Sequence, residues 1–210
     1  MRTYFNEELE ELSASLIDMG KCCLESIEMT SRVLSSHNRE ELEDICKKSI
    51  QISNRETVIE TLCNRLLLLQ QPVATDLRQV SSSLKMANDL ERIGINTGDI
   101  AEILLTGEKE QPCSYLLQMS GIATEMVREG LEALEKKDTA LARHVIGRDD
   151  QMDELFMQFR GELTRGLLHE SALVDQLMIG KYYERIADHM VNVAGWIVYE
   201  VEGRQILDAE

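Results

Sequence analysis

Proline is almost missing from this sequence. Pro72 and Pro112 are the two prolines in 210 residues, and glycine contributes 12. So little turn chemistry excludes the many tight connections of an all-β fold, and long helices fit instead. Basic residues are short as well, with 22 Lys and Arg against 38 Asp and Glu, a net charge of −16. That deficit argues against a general nucleic-acid binder, which needs a basic patch to neutralise phosphates. It also argues against electrostatic docking to anionic lipid. Long apolar runs are lacking too. Residues 190–199 are uncharged but fall far short of the ~20 residues of a membrane-spanning helix, so no membrane insertion is expected.

The cysteines are Cys22, Cys23, Cys46, Cys63 and Cys113. Their number is odd, and no C-x-x-C pair occurs. With no apolar signal segment before the first helical pattern, a reduced cytoplasm is the expected compartment, with the cysteines as small core residues. No G-x-x-x-x-G-K-[ST] loop and no nucleophile–base arrangement is visible, so an enzyme is not expected.

What the chain does have is helical periodicity. Phe5, Leu9, Leu12, Leu16, Met19, Cys23 and Ile27 keep 3/4 spacing, the seam of a bundle. After the polar stretch Ser35 to Asn38, a second helix is expected from about Arg39. Its apolar face carries Leu42, Ile45, Ile52, Ile59, Leu62, Leu66 and Leu69, and it stops at Gln71-Pro72. Proline suits a first helical turn, so a third helix is expected to start there. It carries Leu77, Val80, Leu84, Leu90, Ile93, Ile100 and Leu104 as far as Gly107.

The second half repeats this layout, with helices over about 113–136, 138–163 and 172–202. Asp138-Thr139 supplies a plausible cap, and His169-Glu170-Ser171 a break. Glu91-Arg92-Ile93 returns as Glu184-Arg185-Ile186, an offset of 184 − 91 = 93. The expected fold is all-α, two tandem three-helix bundles over residues 1–107 and 112–204.

Residues four apart on a helix share a face. Glu184 and Asp188 form such a pair, with Asn192 continuing the row, and Asp149 and Asp153 form another, with Asp150 alongside. If the helices are antiparallel neighbours, the two pairs meet. Gathered carboxylates repel one another, and a hard multivalent cation relieves that repulsion. The alternative is that these acids only solvate the bundle or pair with neighbouring arginines. Spacing alone leaves both open.

Several separated motifs resemble the PhoU family of phosphate-transport regulators. They are Phe5-Asn6-Glu7-Glu8-Leu9, Gln70-Gln71-Pro72-Val73-Ala74-Thr75-Asp76-Leu77-Arg78, Asp89-Leu90-Glu91-Arg92-Ile93-Gly94, Arg148-Asp149-Asp150-Gln151-Met152-Asp153 and Glu184-Arg185-Ile186-Ala187-Asp188-His189. The resemblance spans essentially the whole chain. It implies two PhoU-type three-helix bundles and E/D-x-x-x-D motifs able to carry iron, zinc, manganese or magnesium. The second half keeps that motif at Asp149, Asp153, Glu184 and Asp188, with Asp150 and Asn192 as secondary candidates. The first half keeps Asp76, Asp89 and Glu91, but Ile95 stands where the family has an acid. Ser49, Ile50 and Ser53 also replace acids of the middle helix, and Asp99 offers partial compensation. A weakened or absent first-half site is therefore expected.

The resemblance further implies a cytoplasmic regulator, not an enzyme. Such proteins link the ATPase of the phosphate ABC transporter to a sensor histidine kinase and damp the starvation response when phosphate is plentiful. A homodimer is plausible for such a bundle. Two other readings remain. One is a carboxylate-bridged metal-binding or storage protein, disfavoured because Gly94 and Ala187 follow Glu91 and Glu184 where a ferritin-like Glu-x-x-His needs histidine. The other is a plain helical adaptor.

Overall fold

The computed structural model describes residues 2–70, 72, 74–107, 111–164 and 170–204. Seven helical segments and no strand occur among them: α1 (Arg2–Ser36), α2 (Arg39–Gln70), α3 (Thr75–Thr106), α4 (Ser114–Lys136), α5 (Thr139–Gly147), α6 (Asp149–Thr164) and α7 (Glu170–Glu202). The seven segments make six helices, since α5 and α6 are one helix tightened at Arg148. There the Arg148 N–H bonds the Val145 carbonyl and the Gln151 N–H bonds the Arg148 carbonyl, each at 3.1 Å. These i→i+3 bonds over-wind a single turn without reversing the chain.

The expected cap is present, since the Asp138 carboxylate accepts from the Ala140 and Leu141 N–H groups at 2.9 and 3.0 Å. The α1–α2 turn holds His37 at φ 49°, in the left-handed region. Three boundaries and faces differ from expectation. α3 begins at Thr75 rather than at Pro72, because Ala74 takes a left-handed φ of 47° just before it. Leu69 and Leu77 are exposed rather than buried. They stand in the last turn of α2 and the first turn of α3, where the helices leave the packed bundle. His169 lies outside the described residues.

The two halves pack with their matching helices antiparallel. Lys21 pairs with Glu135, and Glu28 with Arg128, so α1 and α4 run oppositely. Asp89 meets His189 and Asn192, and Arg78 lies by Gly203, so α3 and α7 do likewise. The seam residues Leu12, Leu16, Met19, Cys23 and Ile27 are buried, and one apolar cluster joins them to Met126, Phe159, Tyr183, Ile186 and Met190 of the second half. Hydroxyls add polar links: Ser26 of α1 bonds Thr97 of α3 at 2.8 Å within the first half, and Ser31 of α1 bonds Ser120 and Thr124 of α4 across the halves at 2.6 and 2.9 Å. All five cysteines are free thiols, with Cys23 and Cys63 buried. No helix among the described residues is long and apolar enough to cross a membrane.

Candidate metal centre

Where α6 packs on α7, the charges of Asp153, Glu184 and Asp188 all reach Asp149. Asp149 opens α6 and Asp153 follows one turn later, while Glu184 and Asp188 sit one turn apart on α7. The apolar rows decide this register. Met152 and Phe159 of α6 are buried beside Tyr183, Ile186 and Met190 of α7. That packing brings the flanking acids to the groove's edge.

Their proximity shows in the electrostatics. Burial first, then the charges of Asp188, Asp153, Asp150 and Glu184, push the Asp149 carboxyl up to about 6. Asp188 is likewise raised, by burial first and then by Glu184 and Asp153, with Lys181 and His189 acting the other way. Asp149 Oδ1 is buried and accepts no hydrogen bond within the protein. The neighbouring arginine does not answer this need, because Arg148 turns away to Glu125 and Glu129 of α4 at 2.5 and 3.0 Å.

Lys181 is the counter-charge that sequence spacing missed. Its Nζ pairs with Glu184 Oε2 one turn along α7 and lies 5.4 Å from the centroid of the Phe156 ring on α6. Lys181 stands three residues before Glu184 and so shares its face, a spacing that the i,i+4 pattern of acid pairs does not report. As the side chains stand, no three His, Cys, Asp or Glu residues among the described residues form a ready cluster for a metal ion. The donor chemistry and the orphaned Asp149 oxygen nevertheless fit a cation once Glu184 releases Lys181. Asp150 and Asp153 are exposed at the rim.

Asn192 and Asp89 do not extend this site. The Asn192 amide donates to Asp89 Oδ1 at 3.2 Å, and the His189 ring Nδ1 lies 2.9 Å from the same oxygen. An ionised carboxylate only accepts, so the imidazole donates. These residues thus join α3 to α7.

The first half has little room at the matching place. A Cβ built on Gly94 would stand 2.8 Å from two carbons of Ile52, and one on Gly98 would stand 2.9 Å from Ser49. α2 and α3 therefore lie against each other where the other half holds acids. Glu91 faces Glu56 instead, whose carboxyl rises through burial and then through the charges of Glu91 and Glu60. Glu56 also stands four residues from Glu60 on α2, a same-face acid pair that spacing could have found. Asp99 lies by Tyr182 of α7, and the phenol is raised by burial and then by Asp99. Asp76 sits apart in the first turn of α3. The residues of this half do not fit a metal.

A duplicated antiparallel helical bundle with an acid-lined groove in one copy is the class these features define. The PhoU domain profile matches the chain twice, over residues 16–104 and 116–197. A phosphate-specific transport system accessory protein PhoU homolog from Clostridium acetobutylicum is 32% identical over 213 residues, spanning 98% of this chain and 97% of the relative. One from Aquifex aeolicus is 36% identical over 204 residues, spanning 94% and 92%. The crystal structure of PhoU from Pseudomonas aeruginosa superposes with a TM-score of 0.90 at 27% identity, covering 95% of this chain and 100% of that one. The PhoU regulatory protein from Streptococcus pneumoniae gives 0.88 at 29% identity, covering 96% and 99%. The chain belongs to the PhoU family.

Proposed function

We propose that this protein is a non-enzymatic cytoplasmic regulator of phosphate transport and of phosphate-starvation signalling. It acts by docking helix surfaces against the ATPase of the phosphate ABC transporter and against a sensor histidine kinase. The observation that carries this reading is similarity along nearly the full length, in both halves, to accessory proteins of phosphate-specific transport. Docking changes the kinase's output by favouring one of its existing conformations, to the extent of the differential affinity.

In this reading Asp149, Asp153, Glu184 and Asp188 hold a multivalent cation. Bound there, it supplies positive charge that offsets the repulsion among the four carboxylates. The protein's own contribution is to keep those side chains on α6 and α7 while Lys181 occupies Glu184 in its stead. Neutralising the groove fixes how α6 sits on α7, and so the shape offered to a partner.

The test is capture of purified transporter ATPase and of the kinase's cytoplasmic part on immobilised protein. Retention of either one above a blank surface is expected. Retention of neither contradicts the proposal.

A further inference from the structure

The outer face of α2 is unlike the rest of this acidic molecule. At 100° per residue, Lys47, Ile50, Asn54, Val58, Thr61, Arg65, Leu68 and Leu69 fall within an arc of about 100°. Ile50, Val58, Leu68 and Leu69 are 65%, 64%, 78% and 72% exposed. No carboxylate of α2 lies on that arc beyond Lys47. Glu56 turns toward Glu91 of α3, and Glu60 lies about 130° from the arc's centre.

The face also has depth. Two hollows run along the seam with α1, one about 420 Å³ lined by Ser15, Asn54, Arg55 and Val58, the other about 240 Å³ lined by Ser15, Val58, Thr61 and Arg65. They share Ser15 and Val58, so they form one groove, with Glu11 of α1 as an acid on its wall. Arg55 is exposed beside it and makes no ion pair among the described residues. Lys47 and Arg65 are paired with Asp44 and Glu8. The matching face of α6 carries exposed Asp150, Asp153 and Glu154 instead, with Met157 as its exposed apolar residue.

Resting on the docking function above, we propose that the α1–α2 groove is the partner-docking surface and that its occupant is an amphipathic helix whose apolar face is flanked by acidic residues. Val58 lines the groove, and Ile50, Leu68 and Leu69 are exposed on the outer face of the same helix, so α2 supplies apolar anchors of the kind such a helix needs. A carboxylate on the incoming helix gains Arg55, which is without an internal partner. An isologous second copy is a poorer fit, since about a two-fold axis it offers the same groove to Arg55 rather than an acid-flanked helix. An anionic membrane is poorer still, because the net charge of −16 repels it.

The experiment uses the full chain and a fluorescein-labelled helical peptide of about 20 residues, leucine on one face and glutamate on its flanks. Fluorescence anisotropy is expected to show saturable binding that weakens with added salt. The double variant Arg55→Glu/Val58→Glu is expected to bind at least about tenfold more weakly, while Met157→Glu on α6 binds as the parent. A lysine-flanked peptide is expected not to bind. All the substituted positions are exposed, and circular dichroism and melting temperature verify folding. Four outcomes overturn the proposal: equal binding of both peptides, no binding of either, undiminished binding by the double variant, or self-association or phosphatidylserine-vesicle binding that the double variant abolishes. The same variants in the ATPase and kinase capture separate the two claims. Capture undiminished in the double variant removes the groove and leaves the function. Peptide binding without capture of either partner removes the function and leaves the groove.

Discussion

His189 of α7 donates its ring Nδ1–H to Asp89 of α3 across 2.9 Å, and the Asn192 amide shares the same carboxylate oxygen. Asp89 and Asn192, candidates for separate metal sites, are thus bonded to each other across the halves. The His189 and Asp89 side chains are largely shielded, at 26% and 14% exposure. Hydrogen bonds to a charged group contribute about 1.5–3 kcal/mol when well buried and less when wet. His189→Ala is expected to cost about 1 kcal/mol in urea unfolding, with a coupling to Asp89→Ala of at least about 0.5 kcal/mol in a double-mutant cycle. Additive single effects contradict the bridge.

Lys181 competes with any cation for Glu184. Lys181→Gln is therefore expected to lower the melting temperature slightly in chelator-treated buffer. It is also expected to tighten manganese binding several-fold, read as a larger thermal shift per added ion than the parent shows. A variant that binds manganese no better than the parent removes Lys181 from this role.

Asp149 gives a pH signature with a defined sign. Its folded-state value of about 6 lies above the usual carboxylate value near ~4, so the folded state holds the proton more tightly. Stability therefore falls as pH rises from about 4 to about 6, and the full cost is present above that window. Asp149→Asn is expected to be more stable than the parent at pH 7 in metal-free buffer, by on the order of 1 kcal/mol after allowance for solvent screening. The gap closes below about pH 4. The same variant is expected to lose metal-induced stabilisation. A gap that widens on acidification contradicts the assignment.

Gly94 and Gly121 separate packing from propensity. Gly94 faces Ile52 at 2.8 Å, whereas a Cβ on Gly121 meets nothing within 4 Å. Gly94→Ala is expected to destabilise by about 1–3 kcal/mol through overpacking. Gly121→Ala is expected to stabilise by about 0.5–1 kcal/mol, since exposed helical alanine is preferred to glycine. Equal effects at the two positions contradict the tight α2–α3 contact.

The helices were legible because the 3/4 spacing of Leu12, Leu16, Met19 and Cys23, and of Tyr183, Ile186 and Met190, reports one buried face directly. The acid pairs of α6 and α7 were legible for the same reason. Spacing within a helix does not say which neighbour a side chain meets. Asp89 shares a helix with Glu91 yet points to α7, and Glu56 has a same-face acid in Glu60 but also meets Glu91 of α3. The tightened turn at Arg148 left no sign either, since no proline marks it. Leu69 kept the period of a buried residue but lies where α2 leaves the bundle.

The most direct measurement of the central claim is phosphate-starvation promoter activity in cells with and without this protein, grown in abundant phosphate. Regulation of the kind proposed predicts a promoter silent in its presence and active in its absence, restored to silence by the intact gene but not by Arg55→Glu/Val58→Glu. A promoter equally silent in both strains contradicts it.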